Sequence, residues 1–162
     1  MKRIFYLLAI ITLLCAAQSS AQEGAEERQL HFQRYDSSYF EKNNSGLEGE
    51  KSYLVLANQK QFNKVFGPAA RMGKNTFLPR HTFETKIVVA SIKRGSMRRY
   101  SDVTVTEKDG VLQVSYTAED DKPGSATYSV PLILAIDKGE YDEVVFIENG
   151  ERAGAVKLKG NQ

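Results

Sequence analysis

The spacing of apolar residues divides the chain into three zones. Ile4 to Leu14 form an apolar run, interrupted by Thr12, behind Lys2 and Arg3. A mixed zone follows, and from Lys86 onward short segments alternate apolar and polar residues between turn formers. A period of two puts successive side chains on opposite faces of a strand, so this last zone predicts a series of β-strands. Lys86 to Ile92 is β-branched and almost continuously apolar. Ser101 to Thr106 and Val111 to Thr117 alternate about Asp109-Gly110, and Tyr141 to Ile147 and Ala153 to Leu158 flank Asn149-Gly150. Asp-Gly and Asn-Gly accept positive φ at both central positions of a two-residue hairpin turn. Pro131 opens the apolar run Leu132 to Ile136, where a missing N–H does least harm to a ladder. Strands joined by such turns pair locally, which predicts a mainly antiparallel sheet.

The middle zone predicts a strand over Leu30 to Tyr39, a turn-rich connection over Glu41 to Glu50 and a strand over Lys51 to Ala57. Its one helix signal is Asn58, a capping residue, with Gln61 three positions on and Phe62, Val65 and Phe66 on one helical face. Gly67-Pro68 is expected to end that helix. The fold class expected is mainly β, an antiparallel β-sandwich or open barrel with one short α-helix near the N-terminal side. It forms a single domain over residues 30–162. Phe62, Val65, Phe66, Val88, Val103, Val105, Leu112, Val114, Leu132, Leu134, Val145 and Ile147 are the expected core.

The first zone has the anatomy of a secretory signal: a basic start, an apolar stretch and the small residues Ser19-Ser20-Ala21. Residues 1–21 are expected to leave by cleavage after Ala21, and 22–29, polar and acidic, to be a disordered leader. The apolar run is too short to span a bilayer and no later segment is long enough, so no transmembrane segment is expected. The product is exported, to periplasm or medium. Cys15 is the single cysteine. Lipidation there is the weaker route, because bulky Leu14 stands where a lipobox takes a small residue. Cleavage after Ala21 leaves neither disulfide nor thiol, so stability must come from the core. It also removes two cations and no acid, leaving 20 charges of each sign, from 22 Lys+Arg and 20 Asp+Glu. A neutral, exported domain is a poor nucleic-acid binder.

No residue set supports a named reaction, a cofactor or a metal. His31 and His81 lack a G-x-S-x-G or H-x-x-x-H setting. Asp120-Asp121 before Lys122-Pro123-Gly124 falls far short of the roughly six to eight oxygens calcium takes. The richest cluster is Lys93, Arg94, Met97, Arg98, Arg99 and Tyr100. Four cations with a Met and a Tyr, closing a turn between strands, would form a positive tip that grips an acidic protein surface or an anionic polymer. Arg71, Lys74 and Arg80 extend that face if the loop folds beside it. Exposed charges contribute about 0–1 kcal/mol each, so Ser at positions 98 and 99 is expected to leave folding intact.

Phe83 to Arg152 resembles the PrcB C-terminal domain family of exported bacterial proteins. The resemblance is carried by FETKIVVASIKRG, VTVTEKDGVLQVSY, the Ser-Ala-Thr-Tyr segment before PLILAIDKGEY, and the ending VVFIENGE. Asn58 to Phe66 resembles the short helix that commonly precedes the domain. Many relatives carry a Pro-Thr-Gly-Gly-Tyr-like loop where this chain has Gly95-Ser96-Met97-Arg98-Arg99-Tyr100, so only Gly95 and Tyr100 carry over. In the family's best-described member the domain belongs to a protein that binds and stabilises a secreted subtilisin-like protease. The resemblance thus implies a noncatalytic accessory module whose partner is an exported protein such as a protease. An anionic-glycan-binding protein is one alternative, and an envelope-acting hydrolase using His81 and a loop acid is another.

Overall fold

The computed structural model of the chain describes residues 26–69, 76–95, 98–120 and 129–158. The expected signal, Cys15, Arg71, Lys74, Met97, the turn at 121–124 and the Ser125 to Tyr128 segment lie outside these residues.

The fold is mainly β, with sheets arranged as a sandwich and no closed barrel. One sheet has the order β1-β7-β8-β10-β11 and the other β2-β9-β6-β4, with a two-stranded β3-β5 sheet beside them. The strands are β1 (Arg28–Gln29), β2 (Phe32–Arg34), β3 (Tyr39–Glu41), β4 (Lys51–Leu56), β5 (Phe66–Pro68), β6 (Lys86–Lys93), β7 (Arg98–Lys108), β8 (Val111–Asp120), β9 (Leu132–Asp137), β10 (Glu143–Glu148) and β11 (Glu151–Lys157). Among the described residues there are two α-helices, α1 (Gln59–Val65) and α2 (Thr82–Thr85).

Two apolar clusters account for the sequence pattern. Val89, Leu132, Leu134 and Ile136 meet Val105, Leu112, Val114, Val144 and Phe146 between the large sheets. Val88, Ala90, Ile92, Ile133 and Ala135 face the other way, onto Phe62, Val65, Phe66 and Tyr35. The sheet containing β6 and β9 is therefore covered on both sides, which is why those strands are near-continuous apolar runs. Of the expected core, all but Val103 and Ile147 are buried. On β10 the side facing the other sheet is Val144 and Phe146.

Both hairpin turns form as expected, with φ of 52° and 76° at Asp109-Gly110 and 54° and 83° at Asn149-Gly150. Asn58 caps α1 through its side chain, accepting from Gln61 N at 2.9 Å, while Gln61 Oε1 accepts from Ala57 N at 2.8 Å. Four expectations change. The strand over Leu30 to Tyr39 breaks into β2, a 3₁₀ turn over Asp36–Ser38 and β3. Arg28 and Gln29, placed in the leader, pair with β7 as β1. Gly67-Pro68 does not cap α1; both residues are extended in β5, where a Cβ on Gly67 would sit 3.0 Å from the Phe40 ring, a tight contact. Finally, β10 pairs in parallel with β8, so these two are not hairpin neighbours.

The sandwich closes at both sides. At one, the chain steps from β1 in one sheet to β2 in the other through Leu30-His31. At the other, the Tyr53 ring of β4 packs closely on Gly154 of β11 and meets the Phe146 ring at 5.0 Å, tilted by 39°. A Cβ on Gly154 would overlap three Tyr53 ring carbons. Gly154→Ala is expected to lower unfolding free energy by about 1–3 kcal/mol through overpacking at this seam, measured by urea denaturation.

Candidate functional site

The basic segment does not form a hairpin tip. Lys93 ends β6 and Arg98 begins β7, and these strands belong to different sheets. The cause of the changed exposure is a β-bulge in β7 between Ser101 and Thr104, with Asp102 at φ 50°. An extra residue shifts the alternation by one. Val105 faces the core, and beyond the bulge so do Tyr100 and Arg98, each 7% exposed, leaving Arg99 outside.

Arg98 is the centre of a buried polar cluster. Its Nη1 and Nη2 donate to the two carboxylate oxygens of Glu148, both at 3.0 Å, and Nε donates to Asp120 at 2.7 Å. Lys51 Nζ reaches Glu148 Oε1 at 3.1 Å, and the Tyr116 hydroxyl donates to Oε2 at 3.2 Å. Ser91 Oγ shares a hydrogen bond with the same hydroxyl at 2.9 Å. Lys93 pairs with Asp120 at 2.6 Å. The Tyr53 hydroxyl is buried beside these charges without a hydrogen-bond partner. Arg94 is also committed to the fold: it donates to Glu41 and Ser52 and to the carbonyls of Glu48 and Gly49, clamping the connection before β4.

The electrostatics follow from this geometry. Burial pushes the Glu148 carboxyl up, but the hydrogen bonds from Arg98 and Lys51 outweigh it and hold the group at about 2. Burial pulls the Arg98 guanidinium down, and its bonds to Glu148 and Asp120 reverse this and raise it above its ordinary value. Burial raises the Tyr100 and Tyr116 phenols well above theirs, so both remain hydrogen-bond donors at neutral pH.

Beside the cluster, a cleft of about 430 Å³ opens on the bulged end of β7. Tyr100 and Val130 line it, with the Tyr100 hydroxyl donating to the Val130 carbonyl at 3.0 Å. Arg34, Asp36, Ser37, Arg98, Arg99, Ser101 and Glu119 complete its lining. Arg34 chelates Asp36 at 2.6 and 3.0 Å and donates to the Tyr100 carbonyl at 2.8 Å.

Of the residues singled out from sequence, Arg98, Arg99 and Tyr100 thus come together at the cleft, while Lys93 and Arg94 are ion-paired away from its lining. His81 lies on the surface of α2's first turn, bonded to Glu84 at 2.7 Å, and neither histidine lines the cleft. Spacing alone missed Glu148, Lys51, Asp120 and Arg34. Glu148 did carry a signal: it sits on the Val144-Phe146 face of β10, and a carboxylate on an apolar face needs a buried cation.

The expectation that position 98 tolerates Ser is corrected by this burial. Arg98→Ser and Glu148→Gln are each expected to cost about 2–4 kcal/mol in urea unfolding, because each removes the bidentate partner of a buried charge and leaves it only one ion pair, with Lys51 or Asp120. The paired replacement Arg98→Met with Glu148→Leu is expected to recover most of the loss. The depressed Glu148 carboxyl stabilises the fold fully above pH 4.5, and that contribution fades as pH falls through about 2. Stability measured across this window is expected to drop more for the wild type than for Glu148→Gln.

Among known proteins, no family model, no curated protein and no solved structure matches the chain.

Proposed function

We propose that this chain is an exported, noncatalytic accessory module that binds another exported protein, with a secreted protease as the partner implied by the PrcB-like resemblance. The observation that carries the reading is the cleft on β7. Its lining is mostly polar and charged, it includes Tyr100, and Arg98 in its wall is fixed by two hydrogen bonds to Glu148. A fixed wall spends little ordering entropy on binding. Lys93, Arg94 and Arg98 are engaged in holding the fold together, so the recognition role assigned to the basic segment narrows to Arg99, the exposed cation of β7 at the cleft. The leader-like N-terminus and the order of segments from Phe83 to Arg152 support export and the accessory role.

An Arg at a cleft rim speeds and orients the approach of an acidic partner, in a salt-dependent manner. Affinity capture from the native envelope, run at rising salt, is expected to recover less partner with Arg99→Ser than with wild type, at an unchanged melting temperature. Turnover of an envelope substrate that His81→Ala abolishes would overturn the noncatalytic reading.

A further inference from the structure

The outer edge of β7 is paired over only part of its length. Arg28 and Gln29 of β1 register with Glu107 and Thr106, and Leu30 N donates to the Val105 carbonyl at 2.8 Å. There the chain leaves for the other sheet. Among the described residues no strand pairs with the outer edge from Arg98 to Thr104.

The direction of the backbone groups along this stretch is fixed by its neighbours. On β8, Tyr116 and Ala118 turn their polar groups toward Asn149 of the β10–β11 turn, so Thr117 and Glu119 turn theirs to Ser101 and Arg99 of β7. Arg98 and Tyr100 therefore present their main-chain groups outward. The Tyr100 carbonyl shows this, since it accepts from Arg34 Nη2 across the cleft, a side chain standing where a neighbouring strand would donate. Outward groups at every second residue form the pattern that an extended backbone reads. The bulge at Ser101 to Thr104 breaks this pattern before β1 begins, confining the open edge to four residues, about 13 Å of strand. The cleft runs along those residues.

Resting on the reading of the chain as a binding module, we infer that its partner docks by an extended segment that adds a strand to the outer edge of β7 at Arg98–Ser101, displacing Arg34 from the Tyr100 carbonyl. Main-chain hydrogen bonds to Arg98 and Tyr100 supply the register. The Arg34–Asp36 pair, Arg99 and Glu119, all in the lining of the cleft, select polar side chains of both signs on the incoming strand.

The test selects binders from a displayed library of random peptides on the protein expressed from its complete sequence. Ser37→Trp then fills the cleft from an exposed position on the 3₁₀ turn. The enriched peptides are expected to bind Ser37→Trp at least about tenfold more weakly and to slow hydrogen exchange of the Arg98 and Tyr100 amides in the wild type. Peptides that bind without slowing these two amides would overturn the edge as the site and leave the binding-module reading standing. A library that yields no binder while envelope capture succeeds would overturn recognition by an extended segment. A concentration-dependent dimer that protects the same amides would assign the edge to a second copy of this chain and overturn the proposal. The exchange measurement is made on wild type, so it decides the matter even if Ser37→Trp fails to fold.

Discussion

The bidentate bond between Arg98 and Glu148 is the constraint around which the Arg98 end of the sandwich is arranged. Arg98 and Glu148 belong to β7 and β10 of one sheet, and the groups that complete their hydrogen bonds come from both sheets: Tyr116 and Asp120 of β8, Lys51 of β4, and Ser91 of β6 through Tyr116. Two ions with side chains only 5% and 9% exposed give up most of their hydration. The geometry has to return it in full. Each of the three guanidinium nitrogens and both carboxylate oxygens has a partner. Such a pair is a poor source of net stability compared with packed hydrocarbon, but it tolerates only one relative placement of the strands that carry it.

That placement is reinforced one residue further along. Asn149 supplies the first φ-positive position of the turn, and its side-chain amide bonds both the N–H and the C=O of Ala118, at 2.8 and 3.2 Å. The amide stands in for a peptide unit and extends the β8–β10 ladder past the end of β10. The tetrapeptide Glu148-Asn149-Gly150-Glu151 is thus fixed at three successive positions by three demands: a charge for Arg98, an amide for Ala118, and a φ of 83° at Gly150. A hairpin turn alone explains only the last two residue types.

The segments legible in the sequence were those governed by local chemistry: the two turns, the Asn58 cap, and the apolar runs of β6 and β9. The layout between them was less legible, for identifiable reasons. The alternation of Val103 and Val105, extrapolated backward, puts Arg99 inside and Arg98 outside. The bulge reverses this, and nothing in Ser101-Asp102 distinguishes a bulge from a polar edge before the partner strand is known. The same inversion moved the candidate site. A surface expected to be a positive tip became a mixed-charge cleft backed by a buried ion pair, with Arg34 and Asp36 brought in from more than sixty residues away, a separation of 66 for the Arg34 bond to Tyr100. Parity on β10 was also misjudged, because its buried face ends in a carboxylate that hydropathy reads as solvent-facing.

The parallel contact between β8 and β10 has a bearing on how the chain acquires its fold. Between these strands the chain passes through β9, which lies in the opposite sheet between β2 and β6. The five-stranded sheet therefore cannot be completed by zipping hairpins in order. Its middle joint closes only after an intervening strand has been deposited in the other layer. β7-β8 and β10-β11 can each form as local hairpins, but isolated hairpins are marginal in water, and their union waits on long-range contacts whose loop-closure entropy must be met first. The joint between the two hairpins is thus a long-range contact that spans β9, which lies in the other layer.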